Sequence, residues 1–262
     1  MMKTALKLVL LDLLLVQVVA PVLMVIPFAC YLWVTTGGVD EAVLMRQILI
    51  PAQLAGLLLM AAYLWMRGYV SKQRDTWQPT SVTFLFYSGI ATFTTGFWVS
   101  ALMEQLDWIP NLMEQTFDIL QSGWGGIVAI TLLGPIVEEL LFRGAIFQAL
   151  LKDYSPMKAI LLSSFLFAVF HLNPAQMIPA FLMGVLLAWA CYKTRSLIPS
   201  MWMHILNNSL AVCLSICFPE MEQVSDLTRS GVSDGLLLGI TGLFFLLSVW
   251  KMNSYSFIGR QK

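Results

Sequence analysis

Long apolar runs extend along the whole of this 262-residue chain, and they constrain its fold more than any other feature. Each run is close to the roughly 20 residues that an α-helix needs to cross the hydrocarbon core of a bilayer. Apolar residues make up 58% of the sequence and charged residues only 11%, a composition unlike that of soluble domains. We therefore predict an all-α, polytopic membrane helical bundle of eight transmembrane helices, at approximately 6–34, 47–66, 80–103, 123–149, 158–172, 175–192, 197–217 and 235–251.

The basic residues divide unequally between the segments that join these predicted helices. With the N-terminus inside, the inside segments hold 12 Lys and Arg residues, and the outside segments hold only Arg46 and Arg229. Because cytoplasmic segments carry an excess of Lys and Arg, this predicts an integral membrane protein with both termini cytoplasmic. We expect its membrane to be the bacterial inner membrane. Residues 104–122 are acidic and amphipathic, and we expect them to lie along the membrane interface. A net charge of zero gives no indication of a nucleic-acid partner.

A small number of polar side chains lie within the predicted spans. Such groups at membrane depth are costly unless they are paired or face a polar cavity, so each is a candidate functional residue. The set comprises Asp12, Glu138, Glu139, Arg143, His171, His204, Asn207 and Asn208. For Asp12, close to the inner end of its span, we favour a structural role. The four cysteines show no CxxC spacing and are interpreted as small core residues.

The fourth span contains two adjacent glutamates and an arginine. Glu139 and Arg143 are four residues apart, which predicts an ion pair along one helical face. Glu138 is rotated by about 100° from Glu139 on a helix of 3.6 residues per turn, so it points elsewhere and is a candidate general base. The alternative is that all three residues form a charge cluster that locks two helices together.

Both histidines of the chain lie in predicted spans. His171 follows Phe167 by four residues, and His204 precedes Asn208 by four residues. Asn207 also faces His204, so the spacing leaves the functional role open between the two asparagines. A single histidine in a membrane helix often only forms a hydrogen bond between helices. Two histidines together with a glutamate pair, on three different helices, favour a catalytic site.

These side chains are suited to two related kinds of hydrolysis. In one, the carboxylate and a histidine activate water, while the other histidine and an amide stabilise a tetrahedral oxyanion. In the other, two histidines and a carboxylate bind zinc, which lowers the pKa of its bound water. The sequence has no GxSxG motif and no cysteine adjacent to this set, which disfavours a covalent nucleophile.

In their order and spacing, these residues resemble the CPBP family of intramembrane proteases, which contains CAAX proteases and bacteriocin-processing enzymes and is also called the Abi family. The family pattern of EExxxR, FxxxH and HxxxN occurs as EELLFR at 138–143, FAVFH at 167–171 and HILNN at 204–208. Each motif is weak alone, but the three together, in this order and on membrane helices, are specific. The resemblance implies a catalytic core at 123–217, preceded by variable helices and an interfacial segment at 1–122, and followed by a loop and last helix at 218–262.

The resemblance implies an endopeptidase and assigns a role to each matching position. Glu138 would activate water and His171 would assist the attack. His204 and Asn208 would form the oxyanion site, and Glu139 and Arg143 would support it. The substrate would be a peptide or protein in contact with membrane lipid, either prenylated or carrying a leader. We favour a mechanism without a metal cofactor; if zinc is bound, its ligands are Glu138, His171 and His204.

Two readings from other functional classes remain. One is a non-catalytic membrane scaffold or a bacteriocin self-immunity protein, which the intact set of Glu, His and Asn residues disfavours. The other is a proton-coupled transporter that uses the buried charges as a relay. The sequence lacks the paired half-sequences and the Gly- or Pro-broken helices in matching positions that are typical of such transporters.

Overall fold

The computed structural model describes residues 1–219 and 234–255 of the chain. The predictions that involve Arg229 and the loop at 220–233 lie outside the described residues, as do those for the last basic residues, Arg260 and Lys262. Nine helices account for most of the described part: α1 (Met2–Thr36), α2 (Glu41–Met66), α3 (Val82–Glu104), α4 (Glu114–Gln121), α5 (Trp124–Leu150), α6 (Pro156–Phe170), α7 (Pro174–Thr194), α8 (Ile198–Cys217) and α9 (Asp234–Asn253).

The predicted fold class, a polytopic helical membrane bundle, is confirmed. Seven of the described helices are long and apolar enough to cross a membrane, and α6, with 15 residues, is a shorter apolar helix in the place of the fifth predicted span. The sixth span was predicted to be short as well, but α7 has 21 residues because the helix continues through Lys193 and Thr194. Hydropathy locates the apolar run, whereas capping residues and turns decide where a helix ends.

Helix starts differ from the predictions for the same reason. The second span was predicted to begin at residue 47, but α2 begins at Glu41. The side chain of Asp40 accepts a hydrogen bond from the backbone N–H of Val43 at 3.0 Å and caps the helix there. Aspartate at this position satisfies one of the backbone donors that a helix N-terminus leaves without an internal partner.

The chain divides into two compact units. The first contains residues Met1–Ser71 and Met113–Asp153, and therefore α1, α2, α4 and α5. In it, α1 packs against both α2 and α5. This unit carries the glutamate doublet, because Glu138 and Glu139 lie in α5.

Helix α5 is not uniformly α-helical. Two π-helical stretches, Ala129–Leu133 and Leu140–Ile146, interrupt it on either side of the α-helical segment Gly134–Glu139. π-Helical turns are rare in proteins and occur frequently at functional sites. The glutamate doublet thus ends a short α-helical segment between two wider turns.

The second unit contains residues Lys72–Leu112 and the described residues from Tyr154 onward. Its core consists of apolar side chains from α3, α7, α8 and α9, and α6 packs along α7. The fully buried members of this core include Ala91, Leu187, Ala190 and Met203. Burial of this cluster fixes α8, and with it His204, against α7.

Candidate active site

The predicted site residues fall in both units. Glu138, Glu139 and Arg143 belong to the first unit, and the two histidines and the two asparagines belong to the second. Each set is therefore built by the packing of its own unit.

In the first unit, Glu139 and Arg143 form the predicted ion pair. Arg143 Nη1 donates to Glu139 Oε1 at 2.8 Å, and neither side chain has any exposed surface. A charge-assisted hydrogen bond of this length is among the stronger polar contacts in proteins. The ion pair holds the last residue of the α-helical segment to the following π-helical stretch, so Glu139 is engaged in structure.

Glu138 occupies a different environment from its neighbour. It is only partly buried, and its carboxylate lies back along α5 toward Gly134. A Cβ atom at Gly134 would lie 3.9 Å from Glu138 Oε1 and 2.9 Å from the backbone oxygen of Ala129. Glycine therefore leaves room for the π-helical turn on this side of α5, and the carboxylate of Glu138 lies beside it.

Asp12 belongs to the surroundings of Glu138. Its side chain is buried on α1, only 3% of the residue is exposed, and its carboxyl group interacts electrostatically with that of Glu138. The position near a helix end suggested only a structural role. Asp12 and Glu138 are 126 positions apart in the sequence, so the local sequence around either residue does not predict their interaction.

In the second unit, the Phe167 ring contacts both histidines. Its centroid lies 4.8 Å from that of His171 and 5.6 Å from that of His204, with both pairs edge-to-face. Such geometry is favourable for aromatic rings beyond the area that they bury. Phe167 is 2% exposed, and the absence of a side chain at Gly184 allows α7 to approach it, since a Cβ there would lie 3.2 Å from the ring. The phenylalanine of the FxxxH motif thus sets the orientation of two imidazoles.

A backbone contact determines which nitrogen of His171 is basic. His171 Nδ1 lies 2.8 Å from the carbonyl oxygen of Phe167. Because a carbonyl oxygen only accepts, this contact requires the proton on Nδ1, and in the neutral ring Nε2 then has the lone pair. That nitrogen is the one that could take a proton from water. The same arrangement, with the second ring nitrogen bonded to a backbone carbonyl, is typical of metal-binding histidines.

The two asparagines, between which the spacing left the functional role open, form a hydrogen bond with each other. Asn207 Nδ2 donates to Asn208 Oδ1 at 3.2 Å, and Asn207 Oδ1 lies 3.8 Å from the position of a Cβ at Gly96 on α3. Asn207 is therefore directed toward α3 and Asn208. In this pair the side-chain oxygen of Asn208 is the acceptor and the amide nitrogen of Asn207 is the donor.

No three His, Cys, Asp or Glu side chains within residues 1–219 and 234–255 are arranged to hold a metal ion. The residue types of the predicted zinc set, Glu138, His171 and His204, are nevertheless those of known His₂Glu zinc sites.

Comparison with known proteins matches the segment that contains these motifs. Residues 120–210 match the model of the Rce1-like family, described as type II CAAX prenyl endopeptidase Rce1-like. The resemblance to the CAAX proteases is confirmed. It rests on the segment from α4 to α8, which includes all three motifs.

Two curated relatives are similar over a comparable length. One is named "Putative membrane peptidase YdiL", from Bacillus subtilis (strain 168), and is 27% identical over 103 residues, which are 39% of this chain and 42% of the relative. The other is named "Membrane-embedded CAAX protease MroQ", from Staphylococcus aureus (strain USA300). It is 31% identical over 101 residues, which are 36% of this chain and 40% of the relative. The matched region thus spans about two fifths of the length of these relatives, and no solved structure matches the chain.

Proposed function

We propose that this protein is an intramembrane endopeptidase that hydrolyses peptide bonds of membrane-associated peptides or proteins. The proposal rests on the different environments of the two adjacent glutamates. Glu139 forms a fully buried ion pair with Arg143, whereas Glu138 is partly exposed. Because Glu138 is partly exposed, its carboxylate can meet water, whereas the fully buried carboxylate of Glu139 cannot. The relatives named as membrane peptidase and CAAX protease, and the match to an Rce1-like family model, support the same class of reaction.

In the proposed reaction, the carboxylate of Glu138 accepts a proton from water as the water oxygen bonds to the carbonyl carbon of the peptide. His171 assists through the lone pair of Nε2, which its bond to Phe167 leaves as the basic nitrogen. The developing oxyanion receives hydrogen bonds from Asn208 and His204. When the C–N bond breaks, the proton held by Glu138 passes to the leaving amine, so the reaction consumes one water and no other reactant.

The proposed substrates are peptides held at the membrane, either prenylated at a C-terminal CAAX sequence or carrying a leader. The name of the Staphylococcus aureus relative refers to a CAAX protease, which supports the prenylated class. The localisation that we propose is the bacterial inner membrane. The distribution of Lys and Arg supports a cytoplasmic position for both termini.

The test is a cleavage assay with the full-length protein purified in detergent, using fluorogenic prenylated CAAX-type and leader-type peptides. We expect the Glu138→Gln variant to lose about 10²–10⁴-fold in kcat, the range for a positioned general base. Glu114→Gln is a matched control, because Glu114 is an exposed glutamate in the first turn of α4, and this variant should cleave like the wild type. Cleavage that survives in Glu138→Gln would refute the assigned role of Glu138.

The same preparation decides between the two kinds of hydrolysis. We expect activity to persist after treatment with a zinc chelator and dialysis. If activity is lost on chelation and returns when zinc alone is added, the zinc mechanism with Glu138, His171 and His204 as ligands replaces the metal-free one. A folded wild-type protein that cleaves neither peptide class, with or without zinc, would favour the scaffold or immunity role.

A further inference from the structure

The turn that follows His171 has an unusual backbone. Leu172 has φ of +52°, and it and Arg195 are the two non-glycine residues with positive φ in the described part of the chain. A left-handed conformation costs an ordinary residue roughly 1–2 kcal/mol. Leu172 is also 56% exposed, so burial of its side chain does not explain the conformation. Strain of this kind persists when the surrounding contacts determine the backbone.

Asn173, the next residue, supplies such contacts. Its side chain is completely buried and bonds to a segment of the chain about 60 residues earlier. Asn173 Oδ1 accepts from the backbone N–H of Leu112 at 3.0 Å, and Asn173 Nδ2 donates to Asn111 Oδ1 at 2.9 Å. Both ends of the amide are therefore engaged by the segment that follows α3, which belongs to the same unit.

The sequence position of Asn173 predicts a different use for this side chain. Asn173 is the N-cap residue of α7, where an asparagine ordinarily accepts a hydrogen bond from a backbone N–H of the first turn. Here the side chain makes no capping bond, and only the backbone oxygen of Asn173 accepts, from Gln176 N–H at 2.9 Å. The side chain thus gives up a local stabilising contact in favour of the distant one with Asn111 and Leu112.

The turn formed by Leu172 and Asn173, which we call the clamped turn, directly follows His171. The end of α6 closes through two short contacts, from His171 N–H to Ala168 O at 3.3 Å and from Leu172 N–H to Val169 O at 3.1 Å. The second contact ends at the backbone N–H of Leu172, so the left-handed residue and Asn173 directly follow the last turn of α6. The bond from His171 Nδ1 to Phe167 O lies in that same last turn of α6.

We propose that Asn173 is a positioning residue for His171: its two hydrogen bonds to Asn111 and Leu112 fix the strained turn and so hold the imidazole with its proton on Nδ1. The consequence for catalysis rests on the function proposed above, whereas the consequence for the imidazole does not. Loss of the clamp releases the end of α6, weakens the bond to Phe167 and lets the proton of the neutral ring exchange between the two nitrogens.

The chain has only two histidines, so ¹⁵N-histidine labelling of the full-length protein in detergent gives two imidazole signal sets, and a His204→Gln sample assigns them. We expect the wild type to show His171 as the Nδ1–H tautomer. In Asn173→Ala, the His171 signals should move to a mixture of tautomers while the His204 signals stay in place. In the cleavage assay, kcat should fall by about 10–100-fold, the effect of a small misplacement of a catalytic group, while KM changes by less than about twofold.

Asn111 provides a graded and less disruptive test. Asn111→Asp retains an acceptor for Asn173 Nδ2 and should preserve the His171 tautomer, whereas Asn111→Ala removes that acceptor and should give an intermediate shift. Asn253→Ala is the matched control, because that exposed asparagine also accepts one side-chain hydrogen bond, from Lys193, and it should change neither readout.

A folded Asn173→Ala protein in which His171 keeps the Nδ1–H tautomer would overturn the proposal. If that variant does not fold, Asn111→Ala decides, and an unchanged His171 spectrum there has the same meaning. If the wild type cleaves no peptide, the proposed function fails, but the tautomer measurement still decides the role of Asn173.

Discussion

Each of the two units contains a pair of identical adjacent polar residues, and the two pairs make different kinds of bond. In the first unit, Glu139 is joined to Arg143 by a fully buried ion pair. In the second, Asn207 is joined to its own neighbour Asn208 by a neutral hydrogen bond between partly buried amides. We assign Glu139 and Asn207 to structure and propose Glu138 and Asn208 for the chemistry. The two contacts differ in what their loss leaves behind. Loss of one partner of the ion pair leaves a buried charge, whereas loss of the hydrogen bond between the two amides leaves only an unpaired dipole.

The largest effect should follow from breaking the ion pair on one side. We expect Glu139→Leu and Arg143→Met each to lower the free energy of unfolding by about 3–5 kcal/mol, because each leaves an uncompensated buried charge. The double variant should recover most of this loss, since apolar side chains then fill the same space. Unfolding by a denaturing detergent, followed by helical circular dichroism, measures the three variants. A double variant as unstable as the sum of the single ones would show that the doublet is not held by charge pairing.

The next largest effect concerns the second residue of the asparagine doublet. Asn208→Ala should reduce kcat about 10²–10³-fold, which is the range for loss of one oxyanion donor. The free energy of unfolding should change by less than about 1 kcal/mol, because the hydrogen bond to Asn207 joins neutral groups. Steady-state cleavage kinetics beside detergent unfolding separate the two quantities. A variant that loses stability but keeps its kcat would assign Asn208 to structure and reverse the comparison.

A smaller effect is expected for Asn207. Asn207→Leu removes the bond that orients the amide of Asn208, and we expect kcat to fall by about tenfold, which corresponds to roughly 1.4 kcal/mol of transition-state stabilisation. In the Asn208→Ala background the same substitution should cost almost nothing further, because the residue that it orients is gone. The four kcat values of this cycle are the measurement. Independent losses that simply add would mean that Asn207 does not act through Asn208.

The smallest effect is at the strained turn. Leu172→Gly should stabilise the protein by up to about 1 kcal/mol, since glycine adopts positive φ without the steric cost that leucine has there. Thermal or detergent unfolding of this variant against the wild type measures the gain. Destabilisation instead would indicate that the Leu172 side chain, although half exposed, contributes more than its backbone conformation costs.

Much of the fold follows from composition and spacing. The apolar runs predict the seven described helices that are long and apolar enough to cross a membrane. The four-residue spacing predicts the contact between Glu139 and Arg143. These succeed because hydropathy and helical periodicity are local properties. The three-part division of the chain, at 1–122, 123–217 and 218–262, stays a prediction, as do the catalytic roles of the individual residues.

Other features depend on contacts that no local pattern contains. The bond between Asn173 and Asn111 joins positions 62 residues apart, and the contact of Phe167 with His204 joins two different helices. Asn173 read alone is an ordinary N-cap, and the positive φ of Leu172 contradicts the preference of leucine. Local propensity was overridden at both places by tertiary packing, and both adjoin the predicted site. Such conflicts between local and global preference are expected at functional or strained positions.

The π-helical stretches of α5 bear on how this helix should be aligned with its relatives. A π-helical turn closes through i→i+5 hydrogen bonds and so holds an additional residue compared with an α-helical turn. Ala129–Leu133 and Leu140–Ile146 enclose the glutamates, so a homologous helix with purely α-helical turns would carry the same motif one residue shorter on either side. A single-residue gap in an alignment at either place would therefore mark a π-helical turn that one protein has and the other lacks, and the helix on both sides of the gap would still align.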